Sequence, residues 1–152
     1  MAEKFEFIST TDMPALLAVN TPEWSSLIQA TLVDLGYKTQ KISTHLEFAE
    51  RFSQVPYQLV MLEDTFAGTP LSDNLTLQQL QNMPMTQRRH CTVILFGESH
   101  ETLNALQAFQ LSVHAVVNYS EMSLVSQLAQ KVVSENNLFL NNLRECQKRL
   151  TQ

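Results

Sequence analysis

The run Leu59-Val60-Met61-Leu62 is apolar at every position and stops at Glu63-Asp64, ahead of a loop holding Gly68 and Pro70. An unbroken apolar run of strand length suits a strand covered on both faces, the environment of a parallel sheet. Two acids at the end of such a strand lie at the carboxyl edge of the sheet. That edge is where α/β proteins bind ligands and hold reactive groups.

The rest of the chain repeats this unit. Pro14 to Val19 is a second apolar run, and Thr21-Pro22 follow as helix N-cap and first helical residue. Trp24, Leu27, Ile28, Thr31, Leu32 and Leu35 recur at helical spacing until Gly36 stops the helix. Tyr37 to Ile42 reads as a more polar strand suited to a sheet edge. Thr44 and Glu47 form a capping box for a helix through about Phe52. Beyond Gly68, a short helix carries Leu75, Leu77 and Leu80 and ends at Met83-Pro84. Thr92 to Phe96 is a fourth strand ended by Gly97, and Ser99 and Glu101 open a helix carrying Leu103, Leu106 and Phe109. Val113 to Val117 is a fifth strand, and Ser120 caps the last helix. This alternation predicts an α/β fold, a parallel sheet with helices on both faces joined by right-handed crossovers. Phe5 and Phe7 alternate with polar neighbours, so residues 1–12 read as an extended N-terminal arm or an extra strand. No repeat or linker divides residues 1–152, which read as one domain.

Composition excludes several function classes. A net charge of −5 argues against a nucleic-acid surface, and the cluster Arg88, Arg89, His90 reads as a solvated loop. Cys91 and Cys146 lack metal-ligand spacing, and Cys91, beside an apolar run, reads as a reduced core thiol. His45, His90, His100 and His114 have no Cys, Asp or Glu at ligand spacing. Three glycines leave no room for a phosphate-cradling loop, and no G-x-S-x-G elbow is present. The expectation is therefore no cofactor, no metal and no enzymatic activity. The start lacks an apolar targeting segment, and no apolar run approaches the roughly 18 residues that span a bilayer, so the chain reads as cytoplasmic, without membrane contact.

Over roughly Pro14 to Gln130, the order and lengths of these elements and their strand-end positions resemble the response-regulator receiver domain. The resemblance implies a CheY-like, flavodoxin-like three-layer sandwich around a five-stranded parallel sheet ordered 2-1-3-4-5. It also implies a chemistry: acids after the first strand hold Mg²⁺, an aspartate after the third accepts a phosphoryl group, a Ser or Thr ends the fourth, and a Lys ends the fifth. Position by position, the acid pair falls on Val19 and Asn20, and the phosphoacceptor on Glu63. The hydroxyl falls on Gly97 and the lysine on Asn118, so none of the four features is kept.

Mg²⁺ wants carboxylate oxygens, whereas Asn20 offers one neutral carbonyl and Val19 nothing. Without the metal and the lysine, charge on a transferred phosphoryl group goes unstabilised, and that stabilisation is most of the catalysis. Glu63 is either a solvent-facing acid left at a strand end or a permanent charge imitating an activated state. Asp64 is the acceptor if the register slips by one. The expected function is that of a degenerate, phosphorylation-independent receiver-like module acting through protein partners in bacterial signalling. Its docking surface would lie around the fourth helix, fifth strand and last helix, the output face of the receivers it resembles. The alternative is an enzyme or small-molecule sensor whose crevice is lined by Asn20, Glu63, Asp64 and Asn118.

The tail adds a separate expectation. An apolar stripe runs from Leu124 through Leu128, Val132, Phe139, Leu143, Cys146 and Leu150, longer than one sheet needs for cover. Asn136-Asn137 are weak helix formers and the place for a kink or break. Residues 136–152 extend the last helix, and they either fold back on the domain or pair with another chain. In the second case Phe139, Leu143 and Leu150 anchor a homodimer or a protein partner.

Overall fold

The computed structural model describes residues 13–150. The arm or strand expected over residues 1–12 lies outside them, as do residues 151 and 152. The strands are β1 (Met13–Ala18), β2 (Tyr37–Ile42), β3 (Leu59–Glu63), β4 (Thr92–Gly97) and β5 (Ala115–Asn118). They form one parallel sheet in the order β2-β1-β3-β4-β5, the order implied by the resemblance. The helices are α1 (Pro22–Asp34), α2 (His45–Gln54), α3 (Leu75–Asn82), the short α4 (Met85–Arg88), α5 (Ala105–Leu111) and α6 (Val125–Leu150).

The unbroken apolar runs exist because alternate residues of each strand feed two separate cores. Leu16, Val60, Leu62, Val93, Leu95 and Val116 pack on one side with Phe48 of α2, Leu77 and Leu80 of α3, and Ala108 of α5. Leu17, Leu59, Met61, Ile94, Phe96 and Val117 pack on the other with Ile28 and Leu32 of α1 and Val125, Leu128 and Val132 of α6. Local signals hold at several element ends. Thr44 accepts from the Glu47 amide at 3.1 Å, and Glu47 accepts in return from the Ser43 amide at 3.0 Å. Gly36 leaves α1 at φ +95°, a left-handed conformation that suits glycine.

Four expectations need correction. The helix placed from Ser99 begins only at Ala105, capped by Asn104, whose side chain accepts from the Gln107 amide at 3.0 Å. The Asn118 side chain holds the Glu98 and His100 carbonyls as a loop, so the chain before Ala105 cannot wind. Leu106 and Phe109 therefore point outward, 64% and 81% exposed, and small Ala108 faces the core. The last helix is not capped by Ser120. Asn118 caps a 3₁₀ turn over Tyr119–Leu124, and α6 starts at Val125. Arg88 is not solvated: it is buried, donating to the carbonyls of Cys91 (3.1 Å) and Ser112. Helix α6 is unbroken through Asn136-Asn137, because Asn136 turns its amide onto the Arg89 carbonyl and the Thr92 hydroxyl. Cys91 is buried beside Arg88, and burial pushes its thiol up to about 12. No helix among the described residues is long and apolar enough to cross a membrane.

At the carboxyl edge the sheet closes over one tight contact. A Cβ on Gly97 would lie 2.0 Å from Asp64 Oδ2 and 2.3 Å from its Cγ, so the Asp64 carboxylate packs directly on the glycine backbone. Gly97→Ala should therefore cost about 2 kcal/mol, the range of an overpacked core site, read as a lowered denaturation midpoint. Adding Asp64→Ala should recover part of that loss. An unchanged midpoint for Gly97→Ala would contradict the packing.

Candidate functional site

Glu63 ends β3 opposite Phe96 of β4, and its side chain turns toward the start of α1. It is 2% exposed, which corrects the expectation of a solvent-facing acid. A carboxylate is buried at tolerable cost only when its lone pairs are met by donors. Here Oε1 accepts from the backbone amides of Asn20 (2.8 Å) and Thr21 (3.2 Å). Oε2 accepts from the Thr21 hydroxyl (2.9 Å) and the Tyr119 phenol. The positive end of the α1 backbone dipole adds to the same attraction. Thr21 still precedes the first helical residue, but its hydroxyl serves Glu63 and makes no side-chain cap.

Tyr119 reaches the carboxylate from the turn after β5. Its ring stacks on Trp24 (centroids 5.9 Å apart, 9° between planes) and meets Phe96 edge-on at 6.0 Å. Burial, then the bond to Glu63 and the negative charges of Glu63 and Asp64, raise the phenol well above its ordinary range. The proton accordingly stays on tyrosine, and the contact is a phenol donating to a carboxylate.

The other positions tie loops together. Asn20 accepts from the Ala67 amide at 2.7 Å and donates to the Thr65 carbonyl, fixing the loop after β3 to the end of β1. Asn118 donates to the carbonyls of Glu98 (2.9 Å) and His100 (2.8 Å), and accepts from the Ser120 amide (2.9 Å). Its own amide donates to the Thr102 hydroxyl at 2.9 Å. Buried Asn74 donates to the Glu63 and Asp64 carbonyls and caps α3 by accepting from the Leu77 amide at 3.0 Å. Asp64 is buried on Gly97, its Oδ2 lying 3.2 Å from His100 Nε2. That separation makes an ion pair when the imidazole is protonated, although the angle is not that of a hydrogen bond.

The structure thus brings Asn20, Glu63, Asp64, Gly97 and Asn118 together at one edge, with the side chains of Asn20, Glu63 and Asn118 hydrogen-bonded within the chain. Thr21, Tyr119, Asn74 and His100 complete the set; none was read as a site residue in the sequence, where Thr21 was a helix cap and His100 a histidine without a partner at ligand spacing. Tyr119 follows Asn118 directly and could have been found by asking which donor answers a buried acid. His100 pairs with an acid 36 positions away (100 less 64), beyond any local spacing. Among the described residues, no group of three His, Cys, Asp or Glu side chains can hold a metal ion. The tail anchors lie at the opposite, amino end of the sheet. There Phe139 and Leu150 are exposed, Leu143 is half-buried, and neighbouring Leu140 packs against the domain. A groove of about 890 Å³ separates α6 from α2 and the starts of β3 and β4.

No protein-family model matches this chain, and no curated protein matches it by sequence. Solved structures do match in three dimensions. A protein described as a response regulator from Chloroflexus aurantiacus superimposes with a TM-score of 0.66 at 7% identity, over 82% of this chain and 99% of that one. The chemotaxis response regulator CheY4 of Vibrio cholerae gives 0.65 at 9% identity, over 80% and 99%. The receiver domain of a protein described as a LuxO repressor from Vibrio parahaemolyticus gives 0.65 at 14%, over 88% and 98%. At these identities the likeness establishes the fold alone: the chain has the CheY-like, flavodoxin-like architecture of response-regulator receiver domains.

Proposed function

We propose that the chain is a receiver-fold interaction module of signalling type that works without phosphorylation. One arrangement carries this reading. The Glu63 carboxylate stands buried where the resemblance puts the phosphoacceptor, with both oxygens taken by four donors from Asn20, Thr21 and Tyr119. A carboxylate so engaged is a poor nucleophile and a poor metal ligand, because each new bond must displace an existing one. Asn20 and Asn118, at the metal and lysine positions, spend their polar atoms on loop backbone. The glutamate charge is then a fixed structural element. The loops that would move on phosphorylation are held in one state, with the module acting through its surface.

Exposed Leu106 and Phe109 on α5, and Leu124 ahead of α6, support a protein-docking face beside β5. The crevice reading, a sensor or enzyme lined by Asn20, Glu63, Asp64 and Asn118, gains no comparable support, because both acids are buried, Glu63 has both oxygens hydrogen-bonded and Asp64 is packed against Gly97.

Incubation with acetyl phosphate and Mg²⁺ should yield no acyl phosphate by intact mass. Glu63→Asp should be equally inert, since the metal carboxylates and the lysine are missing together. Phosphate on Asp64 would overturn the reading. Tyr119→Phe should remove the highest of the phenol steps in a spectrophotometric pH titration and cost about 1–2 kcal/mol, the worth of a partly exposed bond to a charged group. A raised folded-state pKa stabilises fully below the unfolded phenol value of about 10 and is lost as pH climbs through the folded value. The gap in stability between wild type and Tyr119→Phe should therefore be constant at neutral pH and shrink in strong alkali. A pH-independent gap would place the effect elsewhere.

A further inference from the structure

Past Asn136, helix α6 keeps Leu140 against the domain while one apolar line turns away from the sheet. Val125, Ala129, Val132, Asn136, Phe139, Leu143, Cys146 and Leu150 follow one another at alternating steps of four and three, the a/d spacing of a heptad seam. The first three are buried against the chain's own sheet. Asn136 bonds to Arg89 and Thr92 at the start of β4. The same line then continues as Phe139, 58% exposed, half-buried Leu143, exposed Cys146 and Leu150, 86% exposed. A helix with this period is the surface that a second helix of the same period fits.

The first half of α6 fixes the direction of pairing. The a/d line meets the chain's own sheet before Asn136, so a second helix lying parallel on the free part would run into that sheet. An antiparallel helix enters from the open end and meets no such obstacle. In that arrangement Phe139 faces Leu150 of the other helix, and Leu143 faces Cys146. The two-fold axis repeats both pairs, so one patch complements itself. Charge favours a second copy as well. Residues 137–150 carry Arg144, Lys148 and Arg149 against Glu145, a net +2, which leaves −7 on the rest of a chain whose total is −5. Antiparallel pairing brings each basic end toward the other copy, whose residues outside 137–150 are net acidic.

We infer that two copies of this chain form a dimer by antiparallel packing of α6 over residues 139–150. This names one partner of the interaction module and rests on none of its pocket chemistry, so either reading can fail while the other stands. The contact is small beside the roughly 1,200 Å² of a stable specific interface, so the dimer should dissociate on dilution through the micromolar range.

Sedimentation across a concentration series of the full chain should show this equilibrium. Phe139→Asp with Leu150→Asp should give a monomer of unchanged helical content and melting temperature, since both positions are exposed. Orientation is read by single cysteines placed in a Cys146→Ser chain. A Phe139→Cys chain mixed with a Leu150→Cys chain should cross-link on mild oxidation, whereas neither should cross-link alone. A wild-type protein that stays monomeric at millimolar concentration, or cross-linking of either single-cysteine chain by itself, would overturn the inference.

Discussion

The carboxyl edge of this domain is organised around a buried negative charge. Placing a carboxylate out of water is costly unless its lone pairs are met, and Glu63 meets them with two amides at the start of α1, a threonine hydroxyl and a phenol. Those donors come from the end of β1 and the turn after β5, so one side chain of β3 joins segments on either side of the central strands. The extra methylene of glutamate matters here. An aspartate would stop short of amides that lie beyond the end of the neighbouring strand.

Around that charge the neighbouring positions are mutually consistent. Gly97 has no side chain, so Asp64 can fold onto the β4 backbone. Asn20 and Asn118 bond to loop carbonyls and amides where a carboxylate and an ammonium would have faced a metal and a phosphoryl group. The side chains of Asn20 and Asn118 are satisfied within the chain. At this edge Glu63 and Asp64 are buried, while α5 and the end of α6 carry exposed apolar side chains.

The strands were legible because period and burial agree. Apolar runs such as Leu59–Leu62 suit a doubly covered strand, and the order of the strands was implied by the resemblance of the elements, in order and length, to the receiver domain. The helix after β4 was placed too early because Leu103, Leu106 and Phe109 have helical spacing. The loop bonds of Asn118, invisible in periodicity, override that signal and delay the helix to Ala105. The positions of Asn20, Glu63, Gly97 and Asn118 could be read from strand ends. What Glu63 bonds to could not, because its partners at Thr21 and Tyr119 are 42 and 56 residues distant. The burial of Arg88 was hidden for the same reason, its carbonyl partner at Ser112 lying across the fold.

The central claim is that Glu63 holds the loops shut, and amide hydrogen exchange reads it directly. The Asn20 and Thr21 amides sit in a surface loop, where the Glu63 carboxylate is their acceptor. In wild-type protein both should exchange slowly by NMR, and in Glu63→Ala both should exchange at loop rates while the strand amides of β1 and β3 stay protected. Fast exchange at Asn20 and Thr21 in the wild type, or protection that survives Glu63→Ala, would contradict the account.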